Sequence, residues 1–423
     1  MKIAIRITTI LCCLFSSFAG IGQNTKHAVP IIINDSVDAA KRCAMDTINN
    51  TQLDVIDVVR RLFNKNACIR VDTGVVKSRK LRIAIVPAAG YTLQTSLAAL
   101  VAANASFYTH TDANASTILT SVTYTVQNQI ILPFQTSLWT KSNNYNIVID
   151  WRYLYFPSYT YGLGDYTSLS NGYLINYSTI HLHQAVLRKI SDNLYAGLGY
   201  NLDYYWDFRE INPPQNQPTD LKTYGLLPTE FASGFTFNFL YDTRTNPINP
   251  EKGNFVNIIY RPNLTIFGNT ETWRSLVIDL RKYIPLTFGG NNHNVLAFWS
   301  YEWLTLSGKP PYLMLPNTGG DPYSNTGRGY IQGRFRGNNM AYLEGEYRFK
   351  LTNNGLFGGV VFANGESFTD PLRSPSKFET IEPGYGAGIR IKFNKFSKTN
   401  VALDYGFGAG GSSGLFVNVG EVF

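Results

Sequence analysis

The sequence predicts an all-β fold: a sixteen-stranded antiparallel transmembrane β-barrel with an inward-folded long loop, preceded by a short periplasmic segment with one amphipathic helix. Three observations predict it. The chain opens on an export signal and has no later run apolar enough to span a bilayer as a helix. From Leu81 onward it alternates in polarity over segments of about ten residues, separated by turn residues. The long connections between those segments fall on strands of one parity only.

The 423 residues are 44% hydrophobic, 14% aromatic and 16% charged, a charged share below the roughly 25% usual in soluble domains. Lys2 and Arg6, the apolar run from Ile7 to Phe18, and the small residues Ala19, Gly20 and Gly22 read as a secretory signal over 1–22. Cleavage there would leave Cys43 and Cys68, either paired in an oxidising periplasm or free. An exported chain without helical spans still lives in a bilayer if its strands close on themselves. The net charge of +8 suits basic loops beside outer-membrane lipids and lipopolysaccharide, and no nucleic acid partner is expected.

Residues 23–80 read as a separate periplasmic segment. Within it the stretch from Leu53 to Phe63 is amphipathic, with Val55, Val59, Leu62 and Phe63 on one face and Ile56 alongside. That face either packs on the barrel or its mouth, or binds a protein partner.

The barrel occupies 81–423, in sixteen strands from 81–93 to 414–423. Leu194, Ala196, Leu198, Tyr200, Leu202, Tyr204 and Trp206 alternate with Asn193, Tyr195, Gly197, Gly199, Asn201, Asp203 and Tyr205. A period of two places these sets on opposite faces of a strand, and an aromatic outer face fits interfacial girdles. The same pattern sets Tyr145 and Trp151 outward against Asp150 and Arg152. It also sets Phe231, Phe235, Phe237 and Phe239 against Ala232, Gly234 and Thr236. The long connections 156–171, 207–230, 307–338 and 365–383 follow strands five, seven, eleven and thirteen. Outer-membrane barrels keep long loops outside and short turns in the periplasm.

Strand 339–350 decides the interior. Glu344, Glu346, Arg348 and Lys350 share one face, and Leu343, Gly345, Tyr347 and Phe349 the other. Just before it runs Gly327-Arg328-Gly329-Tyr330, then Gly333-Arg334-Phe335-Arg336-Gly337. This arginine-rich loop is expected to fold into the lumen and dock on the glutamates, because a guanidinium in a narrow, half-wet space needs carboxylate partners.

These motifs resemble the outer-membrane-protein assembly factor superfamily of the BamA/TamA type, the bacterial surface antigen barrels, over residues 81–423. In that family an Arg-Gly-aromatic motif, here Arg328-Gly329-Tyr330, sits in a lumen-folded loop before the twelfth strand. Asp242, Arg244, Pro250 and Gly253 resemble the family's periplasmic turn after strand eight. The terminal Phe423 resembles the aromatic end that such barrels use as an assembly signal. Three departures stand out. Gly327 replaces a frequent valine, Glu421 breaks the terminal alternation, and the stretch Phe362-Ala363-Asn364-Gly365 falls where the family often has an acid, leaving Glu344 or Glu346 as the arginine's partner. The segment before the barrel is also too short for a POTRA repeat, which weakens the expectation of client capture.

A weak seam between the first and last strands is marked by Pro87, which offers no ladder donor, by Gly408 and Gly414, and by the terminal Phe423. Pro133 also falls in a strand and glycines are ordinary in hairpins, so an unremarkable closure stands beside that reading. His181 and His183 share a strand face, but no Cys or acid lies nearby in sequence, so neither metal nor cofactor is expected. No Gly-x-Ser-x-Gly elbow or Walker loop occurs, and no enzyme activity is expected. What remains is an integral, monomeric outer-membrane barrel. It would assemble or translocate membrane proteins or lipids, act as a passive pore, or serve as accessory to a separate lipase or surface complex.

Overall fold

The computed structural model of the chain describes residues 52–64, 69, 82–92, 95–215, 218–225, 227–288, 291–395 and 397–423. The export signal, Cys43 and Cys68 lie outside these residues. Sixteen long strands follow one another in chain order. The first five are β1 (Arg82–Thr92), β2 (Ser96–Tyr108), β3 (Ala115–Thr125), β4 (Ile130–Trp139) and β5 (Tyr145–Tyr155). Then come β6 (Tyr173–Ser191), β7 (Leu194–Ile211), β8 (Glu230–Asp242), β9 (Gly253–Asn263), β10 (Trp273–Phe288) and β11 (Asn291–Ser307). The last five are β12 (Asn339–Lys350), β13 (Phe357–Phe368), β14 (Glu382–Asn394), β15 (Thr399–Gly408) and β16 (Ser413–Val419).

Each strand pairs antiparallel with the next, from β1–β2 through to β15–β16. A meander of this kind satisfies every interior backbone group between neighbours, the condition for crossing lipid. Ser158–Thr160 continues the line of β5 against β6 after an interruption at Phe156 and Pro157, where proline supplies no ladder donor. Both β6 and β7 run further than their alternation suggests, to 19 and 18 residues. Their two-residue turn places Asn193 at φ +61°, the left-handed conformation that tight hairpins demand.

Alternation is obeyed on both faces. Leu198 is 59% exposed and Phe237 52%, whereas Tyr195, Asp203, Tyr205, Ala232 and Thr236 are buried. The interior holds two apolar clusters. One joins Leu163, Leu221, Tyr312 and Leu315 of the long loops to Tyr173 and Trp273 of the wall. The other gathers Trp299, Tyr330, Phe335, Tyr342, Phe368 and Phe423.

Two expectations are corrected. The terminal strand ends at Val419, not at residue 423. Gly420 turns at φ +105°, and Val422 and Phe423 enter the interior, 2% and 3% exposed. The reason is electrostatic: Glu421, out of place on a lipid-facing strand end, finds Arg390 inside at 2.6 Å. The amphipathic helix, α1 (Val55–Phe63), also behaves differently. It docks through its polar start, where Asp54 caps the Asp57 N–H at 2.8 Å and Asp57 pairs with Lys395 Nζ at 2.8 Å. The Leu53 N–H donates to Asn354 O at 2.9 Å, so α1 sits by the short turns after β12 and β14. Leu62 and Phe63 of its apolar face stay exposed.

Candidate functional site

Loop 308–338, between β11 and β12, is folded back on itself before it meets the wall. The Asp321 carboxylate accepts from the backbone N–H groups of Tyr323, Asn325 and Thr326 at 3.1, 2.8 and 2.8 Å. The Tyr330 N–H closes a turn on Gly327 O at 2.9 Å. Gly327 and Gly329 adopt φ +79° and +115°, conformations open to glycine at little steric cost. This turn aims Arg328 across the interior.

Arg328 is 1% exposed. Its Nη1 donates to Asp404 Oδ2 at 2.7 Å, and its Nη2 donates to both Glu344 and Glu346. The guanidinium lies over the Phe362 ring at 3.7 Å, and Asn364 Nδ2 donates to Arg328 O at 2.9 Å. Phe362 and Asn364 thus both hold this residue, one by its ring face on the guanidinium and one by its amide on the backbone carbonyl. The network extends outward from there. Arg348 Nε donates to Glu346 Oε2 at 2.7 Å, and Arg390 bridges Asp404 and Glu421 at 2.5 and 2.6 Å. Arg348 Nη2 also donates to Phe423 O at 3.0 Å. Among the described residues three guanidinia therefore face four carboxylates, and each of these carboxylates has at least one guanidinium against it.

Tyr330 completes the motif. Its hydroxyl donates to Pro383 O at 2.6 Å and accepts from the Ala409 N–H at 2.8 Å. The motif lies on a platform of glycines: a Cβ at Gly408 would come within 2.5 Å of the Tyr330 ring, and one at Gly406 within 2.8 Å of Gly329 N. Gly408 therefore serves the plug, on a strand paired along both edges. Of the residues read as seam, Pro87 lies on β1 opposite Val101 and Gly414 on β16 opposite Gly406. Phe423 lies beyond β16 with its ring 5.2 Å from Trp299. Among the described residues β1 and β16 approach within 8 Å between Cα atoms. Among the described residues β1 has a ladder with β2 alone, and β16 with β15 alone.

Arg334 and Arg336 do not join the glutamates, contrary to expectation. Arg334 donates to Thr167 Oγ1 at 2.8 Å and lies 4.1 Å from the Phe335 ring centroid. Arg336 donates to Tyr312 O at 3.3 Å, and its own carbonyl accepts from the Gly164 N–H at 2.7 Å. Of the loop's three motif arginines, Arg328 is the one whose turn carries it to the carboxylates of the wall. Arg334 and Arg336 tie the long loops to one another instead.

The turn after β8 is built as its motif implies. Arg244 binds Asp242 through Nε and Nη2 at 3.0 and 2.8 Å and lies over the Phe255 ring at 4.2 Å. Pro250 is buried, and Gly253 takes φ +117° with its Cα facing Thr243 O. Ile248 O of this turn accepts from the Glu421 N–H at 3.1 Å, so the motif also seats the chain's last residues. Asp404, Arg390 and Glu421 escape the sequence reading as members of the site. Alternation along 400–408 places Asp404 inward, and that was the available signal for it.

The Omp85 superfamily domain matches residues 101–407. The chain belongs to the Omp85 superfamily. It is an integral barrel of the bacterial outer membrane. BamA from Haemophilus ducreyi lacking POTRA domains 1-3 superposes with a TM-score of 0.52 at 12% identity, covering 81% of this chain and 70% of that one. CdiB from Escherichia coli gives 0.54 at 10%, covering 82% and 63%. CdiB from Acinetobacter baumannii gives 0.52 at 12%, covering 81% and 60%. This Omp85 chain thus spans less than two thirds of either CdiB chain, and at such identities the likeness is one of fold. No curated protein sequence matches it.

Proposed function

We propose that this Omp85 barrel assembles or translocates outer-membrane proteins or lipids, as a monomer and without covalent chemistry on them. The observation that supports this most directly is the pairing of a sealed interior with an unlaced wall. Loop 308–338 is held inside by the buried Arg328 network, whereas β1 and β16 adjoin without a described ladder. Unpaired strand edges are templates for another strand, and a plugged lumen keeps the membrane tight while such an edge is in use. Lipid and lipopolysaccharide surround the wall in this reading, and a periplasmic protein partner meets the short-turn end beside α1.

Depletion tests it. Loss of the protein should lower the level of at least one other integral outer-membrane protein or of a surface lipid. A pair of cysteines joining β1 to β16 should reproduce that loss under oxidising conditions and relieve it on reduction. Unchanged outer-membrane composition in both experiments would overturn the reading.

A further inference from the structure

On the inner face of β6, Thr179, His181 and His183 point the same way, and register places His181 opposite Asp203 of β7. The acid missing from the sequence around the two histidines is supplied by the neighbouring strand. His181 Nδ1 lies 2.6 Å and His183 Nε2 2.8 Å from Asp203 Oδ1. The three ligand atoms all fall within 4.8 Å of one another. A tetrahedral zinc ion bound at its usual distances holds ligand atoms about 3.3 Å apart, so small side-chain rotations would admit one.

The surroundings resemble an outer coordination shell. Arg261 Nη1, from β9, donates to Asp203 Oδ2 at 2.5 Å, leaving Oδ1 for the imidazoles. Arg261 Nη2 is also held, by Asn201 O and Ala232 O at 3.3 Å each. Thr179 Oγ1 lies 3.1 Å from His181 Nε2, where it accepts the ring proton once Nδ1 becomes a ligand. Such second partners fix tautomer and ring direction at metal sites. Across β5, Asp150 and Arg152 neutralise each other at 2.7 Å. The side chains of His181 and His183 are 20% and 34% exposed, against 6% for Asp203. Water in the interior therefore reaches the open side.

We propose that the inner wall at β6 and β7 binds a single borderline divalent metal ion through His181 Nδ1, His183 Nε2 and Asp203 Oδ1. Two imidazoles and one carboxylate suit zinc or copper better than calcium or magnesium. Three protein ligands leave one position to water. The ion would cross-link β6 to β7, with Arg261 carrying the link on to β9.

The test is zinc titration by calorimetry of tag-free protein folded in detergent, with heat-modifiable gel migration as the check of folding. The native protein should bind one zinc ion per chain. His183→Gln should weaken that binding about tenfold or more, by the scale seen when metal-site partners are lost. His110→Gln, at a different histidine, should leave it unchanged. Copper(II) bound to the native protein should show hyperfine coupling to two nitrogens in its EPR spectrum, a readout independent of any variant. Absence of saturable binding, equal binding by folded His183→Gln, or a copper spectrum without nitrogen coupling would overturn the proposal, leaving plain histidine–aspartate hydrogen bonds.

Discussion

Arg328 takes a full positive charge to a place with 1% exposure, and three carboxylates meet it there. Removing one member of such a group leaves the others desolvated and uncompensated. Arg328→Ala is therefore expected to cost about 3–5 kcal/mol, read as a lower temperature for losing heat-modifiable migration. Arg328→Lys should recover only part of it, because an ammonium cannot reproduce the fork that engages Asp404 and the glutamates together. Asp404→Asn should cost less, roughly 1–3 kcal/mol, since Arg328 keeps Glu344 and Glu346 and Arg390 keeps Glu421. Equal losses for Asp404→Asn and Arg328→Ala would mean that the network is not centred on Arg328.

At the scale of elements, the loop and the carboxyl-terminal segment act as two inserts wedged against one wall. Gly329, at φ +115°, would place a Cβ 2.6 Å from Phe407 O. Gly329→Ala should therefore lift the loop from β15 and expose residues 308–338 to protease added outside whole cells. A loop equally resistant in that variant would show that Tyr330 and Arg328 hold it unaided. The terminal segment fills the space beside Trp299 and Tyr283 and offers its carbonyl to Arg348. Deleting Phe423 should cost about 3–5 kcal/mol, the range for losing a buried aromatic side chain, measurable by urea denaturation of the folded barrel. The final aromatic is thus an interior residue of the folded molecule, whatever its part during assembly.

The whole molecule combines a loop held in its interior with end strands that share no ladder among the described residues, and its electrical behaviour should follow from both. Native protein in planar bilayers is expected to pass small, irregular currents, and Arg328→Glu larger ones as the loop leaves. Large, steady currents from the native protein would make it a pore instead. The meander of sixteen strands, the turn after β8, and the docking of Arg328 on Glu344 and Glu346 were all readable in advance. So was the placing of the long connections after strands of one parity. Arg334 and Arg336 were assigned to the same acids on composition alone. That assignment fails because the path of the loop decides which arginine reaches those acids, and a local motif does not encode that path.

The divide follows the range of the interaction. Period-two alternation and turn residues are properties of neighbours along the chain, so the lipid-facing and inward-facing sets of each strand could be read one strand at a time. Asp404 beside Arg328, Glu421 beside Arg390, and Asp203 beside His181 join residues 76, 31 and 22 positions apart. Strand register and a single turn at Gly420 bring each pair together, and no local pattern encodes either. Burial then makes those meetings matter, since a charge withdrawn from water must find its opposite among whatever the sheet places within reach.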